Sequence, residues 1–121
     1  MSKVLIIDDD RNNVFALQAV LRSRSWDTVI ASSAQAGMTL LKSDNDISVI
    51  LLHMMMPDMD GYEMMQKIRS EKIRSDLPVI AVTAQAMRGD RERCLEAGAA
   101  EYISKPIDVD RLINLLHVYV K

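Results

Sequence analysis

The chain has 121 residues, of which 49% are hydrophobic and 26% are charged, with a net charge of −2. This size and composition predict one globular domain spanning residues 1–121 around a single hydrophobic core. The absence of a basic surplus argues against nucleic-acid binding, and no apolar run is long enough to cross a membrane. The single cysteine, Cys94, excludes an internal disulfide and favours a cytoplasmic location.

Short apolar runs alternate with segments of helical periodicity along the whole chain. Strands are predicted at residues 4–7, 28–31, 48–52, 79–82 and 100–103. The predicted helices start after Asp10, after Ser32 or Ser33, at Gly61 (to about Arg74), near Arg88 (to Gly98) and after Asp108 (to near Val120). Strict alternation is typical of right-handed βαβ units. We therefore predict an α/β fold with a doubly wound, five-stranded parallel sheet in the order 2-1-3-4-5.

Polar residues follow four of the predicted strands. Asp8 and Asp9 follow the first strand, His53 the third, Thr83 the fourth, and Lys105 comes shortly after the fifth. In this topology the carboxyl ends of the strands line one crevice, so we expect these side chains to converge. Adjacent carboxylates repel each other, and a magnesium ion relieves the repulsion. With a hydroxyl and an ammonium group added, the set predicts a site for phosphoryl transfer by positioning and electrostatics.

The pattern resembles the receiver domains of two-component response regulators. The resemblance covers all 121 residues and includes the spacing of the motifs. It rests on Asp8-Asp9, on residues 56–61 (Met-Pro-Asp-Met-Asp-Gly), on Thr83-Ala84 and on Lys105-Pro106. Residues 8–12 (Asp-Asp-Asp-Arg-Asn) and 95–99 (Leu-Glu-Ala-Gly-Ala) look most like receivers of hybrid sensor kinases. The resemblance implies a flavodoxin-like three-layer fold and a phosphorelay partner, either a histidine kinase or a phosphotransfer protein.

The resemblance also assigns roles at the acceptor and metal positions. Receivers accept a phosphoryl group on an aspartate at the end of the third strand, and here that position holds His53. Asp8 and Asp9 correspond to the acids that bind magnesium. The backbone carbonyl of Met55 corresponds to a further metal ligand.

Three more residues correspond to the phosphoryl-binding and switch positions of the family. Thr83 matches the hydroxyl that moves toward the phosphoryl group, and Lys105 matches the lysine that bonds it, next to a cis bond to Pro106. Tyr102 matches the aromatic residue that moves inward with Thr83. The resemblance implies that the signal reaches the face of the fourth helix, fifth strand and fifth helix, where an output domain or another partner binds. Homodimerisation through that face is compatible with the sequence.

His53 changes what the predicted site can do. An aspartyl phosphate needs a carboxylate nucleophile, which an imidazole lacks. Magnesium binding is expected to be weakened or absent, because imidazole is a poor ligand for magnesium and a good one for zinc, nickel or copper. Since Asp8, Asp9, Thr83 and Lys105 remain, a recent or engineered replacement of aspartate is favoured over a long-degenerate scaffold.

Three hypotheses follow for His53. The leading one is a pseudo-receiver or disabled variant that is not phosphorylated normally and signals by protein–protein contacts. In the second, His53 binds a transition metal together with Asp8 or Asp9. In the third, His53 itself accepts the phosphoryl group. Under the pseudo-receiver hypothesis, we expect the imidazolium of His53 to pair with Asp9 or Asp8 in a metal-poor site.

An alternative interpretation, from a different class of protein, is a small phosphatase-like α/β enzyme of the haloacid dehalogenase type. Such an enzyme needs an aspartate nucleophile on its first strand, and Asp8 or Asp9 offers one. However, 121 residues leave no room for a cap domain or a substrate pocket. We therefore predict that the chain is not an enzyme.

Overall fold

The computed structural model describes residues 2–74, 76–84 and 89–120. Within these residues, five strands alternate with five helices. The strands are β1 (Lys3–Ile7), β2 (Asp27–Ala31), β3 (Ile47–His53), β4 (Val79–Thr83) and β5 (Glu101–Ser104). The helices are α1 (Arg11–Ser23), α2 (Ala34–Ser43), α3 (Gly61–Ser70), α4 (Asp90–Glu96) and α5 (Val109–Tyr119). The sheet has the order β2-β1-β3-β4-β5 with every neighbouring pair parallel, which confirms the predicted fold.

The sheet separates two hydrophobic cores, because successive side chains of a strand point to opposite faces. In β1, Leu5 and Ile7 belong to the core that includes residues of α2, α3 and α4. Val4 and Ile6 belong to the core shared with α1 and α5. Helices thus cover both faces of the sheet, and the ends of the strands are where it opens to side chains from several strands. None of the helices in the described ranges has the length and apolar character needed to cross a membrane.

Side-chain caps explain where three of the helices begin. Asp10 accepts hydrogen bonds from the backbone amides of residues 12 and 13 and caps α1, as predicted. Ser33, rather than Ser32, caps α2 by accepting from the amide of residue 36. Asp108 accepts from the amide of residue 111 and caps α5, which confirms that start as well.

Helix α3 ends at Ser70, four residues before the predicted end at Arg74. The backbone leaves the helical conformation there, with positive φ angles of 54° at Lys72 and 46° at Arg74. The Arg74 guanidinium donates to the carbonyls of Asp44 and Ile47, at 3.2 and 3.0 Å. These bonds place Arg74 against the start of β3, so it cannot continue the helix.

Helix α4 begins at Asp90 in the described part of the chain, and the predicted start at Arg88 lies outside the described residues. Gly98, with a φ of 118°, follows the C-terminal capping residue Ala97, in agreement with the predicted helix end. A side chain at position 98 would overlap the Arg69 guanidinium, which donates to the carbonyl of Ala97. Glycine therefore satisfies both the backbone angle and the close approach.

The strands extend farther toward their carboxyl ends than predicted. His53 lies inside β3 and pairs with Val82, and Thr83 lies inside β4 and pairs with Ser104. Each had been expected just after its strand. The parallel ladder continues for these additional residues, which holds both side chains in a fixed register.

Candidate functional site

The predicted site residues meet at one edge of the sheet. Asp8 and Asp9 directly follow β1, and Lys105 directly follows β5. His53 and Thr83 are the last residues of β3 and β4. The convergence expected from the topology is therefore present, and it places acidic, basic, imidazole and hydroxyl groups at neighbouring strand ends.

Two carboxylates and the imidazole form a compact cluster. One potential ligand atom from each of Asp8, Asp9 and His53 lies within 4.8 Å of the others. Asp8 is buried, with 8% of its surface exposed, whereas Asp9 is exposed and His53 is partly buried. The backbone amide of Asp8 donates to the carbonyl of Ala31 at 3.1 Å, and its Oδ1 accepts from the amide of Asp10 at 2.9 Å. These bonds fix the buried carboxylate in place.

Lys105 approaches the same carboxylate from the other side of the crevice. Its Nζ lies 3.5 Å from Oδ2 of Asp8, and the two side chains are 18% and 10% exposed. The amide of Lys105 donates to the carbonyl of Thr83 at 2.7 Å, which ties the start of the following loop to β4. The Lys105–Pro106 peptide bond is cis, which confirms that prediction.

The partner of His53 differs from the expectation. We expected an ion pair between the imidazole and Asp9 or Asp8. Instead, the buried Nδ1 of His53 has no hydrogen-bond partner among the described residues, and Asp8 pairs with Lys105. The ammonium group of Lys105 competes for the Asp8 carboxylate, which accounts for the missing pair with Asp8.

The surroundings of His53 are largely apolar on one side of the sheet. A cavity of about 330 Å³ lies beside it, on the side of the sheet covered by α1 and α5. Its walls include the apolar side chains of Ile6, Leu17, Leu51 and Val82. The polar side chains of Asp8, Asn13 and Lys105 also line the cavity. Nothing in the sequence indicates this cavity, because it arises from the packing of distant segments.

The cluster does not fit magnesium. Magnesium prefers octahedral coordination by oxygen, and the third side chain of the cluster supplies a nitrogen. The set of two carboxylates and one imidazole instead fits zinc and similar transition metals. The predicted role of the Met55 carbonyl stays a prediction. The side chain of Met55 is 69% exposed.

Thr83 and Tyr102 occupy positions consistent with a switch in the interior. Both are buried, and Tyr102 lies on β5 opposite Ala81 of β4. The Tyr102 hydroxyl is buried without a hydrogen-bond partner among the described residues. Burial raises the pKa of Tyr102 above its ordinary value, and the nearby Asp90 carboxylate adds to the shift. The coupled movement of Thr83 and Tyr102 stays a prediction.

The loop after β3 is anchored by an acid whose role the sequence did not predict. Asp58 accepts hydrogen bonds from the amides of Ala34 and Gln35 at 3.4 and 3.2 Å, at the start of α2. A carboxylate in this position also interacts favourably with the helix dipole. The motif at residues 56–61 marks the turn, but the partner more than 20 residues away cannot be identified from it.

Gly61 completes the same loop by allowing a close approach. Its amide donates to the carbonyl of Met54 at 2.8 Å. A Cβ atom at position 61 would lie 2.4 Å from Sδ and 3.0 Å from Cα of Met54. Only glycine permits this contact, which fixes the path of the chain directly after His53.

Comparison with known proteins agrees with this geometry. Residues 4–117 match the family model described as "Response regulator receiver domain". The chain is 31% identical over 117 residues to the polar-differentiation response regulator DivK of Brucella ovis, covering 97% of this chain and 94% of DivK. It is 36% identical over 118 residues to the sensor histidine kinase RcsC of Salmonella typhi, covering 98% of this chain but only 12% of the kinase.

A solved structure shows the same likeness in three dimensions. The receiver domain of the sensor histidine kinase PA1611 from Pseudomonas aeruginosa PAO1 has a TM-score of 0.86 and 29% identity. The match covers 97% of this chain and 95% of that domain, whose structure contains a magnesium ion in the active site cleft. The chain described here thus belongs to the family of response regulator receiver domains.

Proposed function

We propose that this chain is a receiver domain that does not accept a phosphoryl group in the usual way and signals through protein–protein contacts. It would then be a pseudo-receiver or a disabled variant. One observation carries the proposal. The last residue of β3, which lies with Asp8 and Asp9 at the strand-end crevice, is a histidine. In receiver domains, the residue at the position corresponding to His53 is the aspartate that accepts the phosphoryl group.

The chemistry of the side chain supports this proposal. An imidazole cannot form an acyl phosphate, and it extends farther from the backbone than a carboxylate does. A phosphorus atom bonded to His53 would lie differently relative to Thr83 and Lys105. Removing one carboxylate from the site also removes a negative ligand, which weakens the binding of magnesium.

The proposal includes the absence of enzymatic turnover. Asp8 would be the candidate nucleophile of a phosphatase-like enzyme, but its Oδ1 accepts from the amide of Asp10 and its Oδ2 faces Lys105. Both interactions stabilise its negative charge and reduce its nucleophilicity. We expect no hydrolysis of a generic phosphate ester by this chain.

The proposed partners follow from the family. Receiver domains interact with histidine kinases or phosphotransfer proteins and with output domains, and one relative of this chain is itself a sensor histidine kinase. We propose the face of α4, β5 and α5 as the contact surface and as the site of any homodimer. In support, Glu101 of β5 links the helices on either side, lying 3.5 Å from Arg91 and 3.6 Å from Arg111.

A cytoplasmic location is part of the same proposal. Phosphorelay partners act on receivers in the cytoplasm, and Cys94 is a free, buried thiol. A chain with no possible internal disulfide is suited to a reducing compartment.

The test compares this chain with its His53→Asp variant after incubation with a small phosphodonor and magnesium. We expect labelling of the variant only, through a bond that alkali cleaves, as is characteristic of an acyl phosphate. A His53→Ala variant is the matched control and should remain unlabelled. Equal labelling of this chain and the His53→Asp variant would overturn the proposal. An alkali-stable, acid-labile bond in this chain would favour phosphohistidine instead.

A further inference from the structure

We propose that Asp8, Asp9 and His53 form a binding site for a zinc-class transition-metal ion in place of magnesium. The proposal concerns the metal alone. It does not depend on whether His53 accepts a phosphoryl group, and the two ideas can fail separately.

The geometry of the cluster is close to that of a metal site. Zinc binds imidazole nitrogen and carboxylate oxygen at about 2.0–2.2 Å, so two ligand atoms of one ion are at most about 4.2 Å apart. The three potential ligand atoms lie within 4.8 Å of one another. We expect the exposed Asp9 side chain to supply the remaining adjustment, because Asp8 and His53 are held at the ends of β1 and β3.

The chemistry of the donors selects the class of metal. Hard cations such as magnesium favour oxygen ligands, whereas zinc, nickel and copper bind imidazole well. Here, two carboxylates supply negative charge and His53 supplies a neutral nitrogen. Three protein ligands leave at least one coordination position for water, as in open zinc sites.

A second observation is that one ring nitrogen of His53 lacks an interaction partner among the described residues. The Nδ1 of His53 is buried and has no hydrogen-bond partner among the described residues. Buried polar atoms normally have a partner, and an unpartnered one needs an explanation. If one ring nitrogen coordinates the ion, the interaction compensates for the cost of placing this imidazole in a partly buried position.

The surrounding charges allow the ion to bind. Asp8 keeps acceptor capacity on both oxygens, because each carboxylate oxygen has two lone pairs and the contacts with Asp10 and Lys105 use one on each. No hydrogen bond or ion pair to the Asp9 side chain is found within the described ranges. Binding would therefore engage a carboxylate that has no other partner in the described part of the chain.

The experiment is a calorimetric titration of the purified chain with zinc chloride and, separately, with magnesium chloride. We expect one zinc ion per chain, bound at least about 100-fold more tightly than magnesium. In the His53→Gln variant, zinc affinity should fall by at least about 100-fold, since even changes around a ligand cost about 10–100-fold. Glutamine keeps a polar side chain of similar size, and circular dichroism verifies that this variant is folded.

Two further variants sharpen the result. His117→Ala removes the other histidine of the chain, which lies on α5 with its ring tilted against that of Trp26, and this variant should bind zinc like the parent. His53→Asp restores a third carboxylate and should reverse the preference toward magnesium. Cobalt substitution gives a separate readout, because its visible absorption should change when His53 is replaced but not when His117 is.

Zinc affinity no greater than magnesium affinity would overturn the inference. Zinc binding that is unchanged in the His53→Gln variant would also overturn it, because the ion would then occupy a different surface site.

Discussion

The ammonium group of Lys105 lies 3.5 Å from Oδ2 of Asp8, which precedes it by 97 residues. This pair joins the carboxyl ends of β1 and β5 across the intervening strands β3 and β4. Both side chains are mostly buried, so the attraction is less screened than at the surface. Asp8 and Lys105, two residues that the sequence predicts to meet at the strand ends, are therefore in contact, and His53 ends a strand that lies between them.

Replacing Lys105 with methionine should destabilise the fold. The substitution leaves the Asp8 carboxylate buried without its counter-ion, and we expect a loss of about 1–2 kcal/mol in the free energy of unfolding. Urea denaturation measures it. Lys67→Met, at an exposed position on α3, is the control and should change stability by less than about 0.5 kcal/mol. An equal loss in both variants would show that the pair contributes nothing.

Replacing Gly61 with alanine should destabilise the loop after β3. The new Cβ would lie 2.4 Å from Sδ and 3.0 Å from Cα of Met54, and the second contact cannot be relieved by a side-chain rotation. We expect a loss of about 2–3 kcal/mol, measured by thermal or urea unfolding.

The matched control for this change is Gly37→Ala on α2. There the nearest atoms belong to the end of the Ile7 side chain, which can move. Alanine also has a helix propensity about 1 kcal/mol better than glycine. The two effects oppose each other, so the net change should stay within about 1 kcal/mol. A smaller loss at Gly61 than at Gly37 would contradict this account of the turn.

Replacing Tyr102 with phenylalanine should leave stability unchanged or raise it by up to about 1 kcal/mol. The Tyr102 hydroxyl is buried and has no hydrogen-bond partner among the described residues, so its removal abolishes a desolvation cost. Tyr119→Phe provides the opposite case, because that hydroxyl donates to the carbonyl of Ala100 at 3.2 Å. Its removal should cost about 1 kcal/mol. If Tyr102→Phe is the more destabilising of the two, the hydroxyl has a partner in solution.

The Lys3–Asp44 ion pair, 2.9 Å apart, should give stability a defined dependence on pH. The hydrogen bond from Lys3 lowers the pKa of Asp44 below its ordinary value of 3.8. The contribution of the ionised Asp44 carboxylate to folding stability is therefore complete above that value and is lost as the pH falls. The hydrogen bond to Asp44 raises the pKa of Lys3 above its ordinary value of 10.5. The contribution of the protonated Lys3 ammonium group to folding stability is therefore complete below that value and is lost as the pH rises.

The corresponding measurement compares unfolding of this chain and its Lys3→Met variant over a range of pH. The difference in unfolding free energy should be constant between roughly pH 5 and 9 and should shrink toward both extremes. A difference that does not vary even at acidic pH would mean that the pair is not responsible for it.

The sequence was sufficient to predict most of the fold because its signals are local and periodic. Apolar runs such as residues 4–7 mark strands buried on both faces, and Asp10 and Asp108 mark helix starts. Alternation then limits the topology to a few solutions. The predicted end of α3 was wrong because the observed end depends on Arg74. The guanidinium of Arg74 donates to carbonyls about 30 residues earlier in the chain.

The sequence predicts which residues come together at the candidate site, but not which of them pair with each other. Residues at strand ends converge in any sheet of this order, which identified Asp8, Asp9, His53, Thr83 and Lys105. Which of them interact depends on distances of a few ångströms between separate strands. The Asp8–Lys105 contact is of this kind, and so is the lack of a partner for Nδ1 of His53 among the residues that the structure describes.

The most direct test of the central claim is the intact mass of the chain after incubation with a small phosphodonor and magnesium. The account predicts an unchanged mass for this chain and the addition of one phosphoryl group to its His53→Asp variant under the same conditions. Addition of a phosphoryl group to this chain, with loss of that product in a His53→Ala variant, would contradict it.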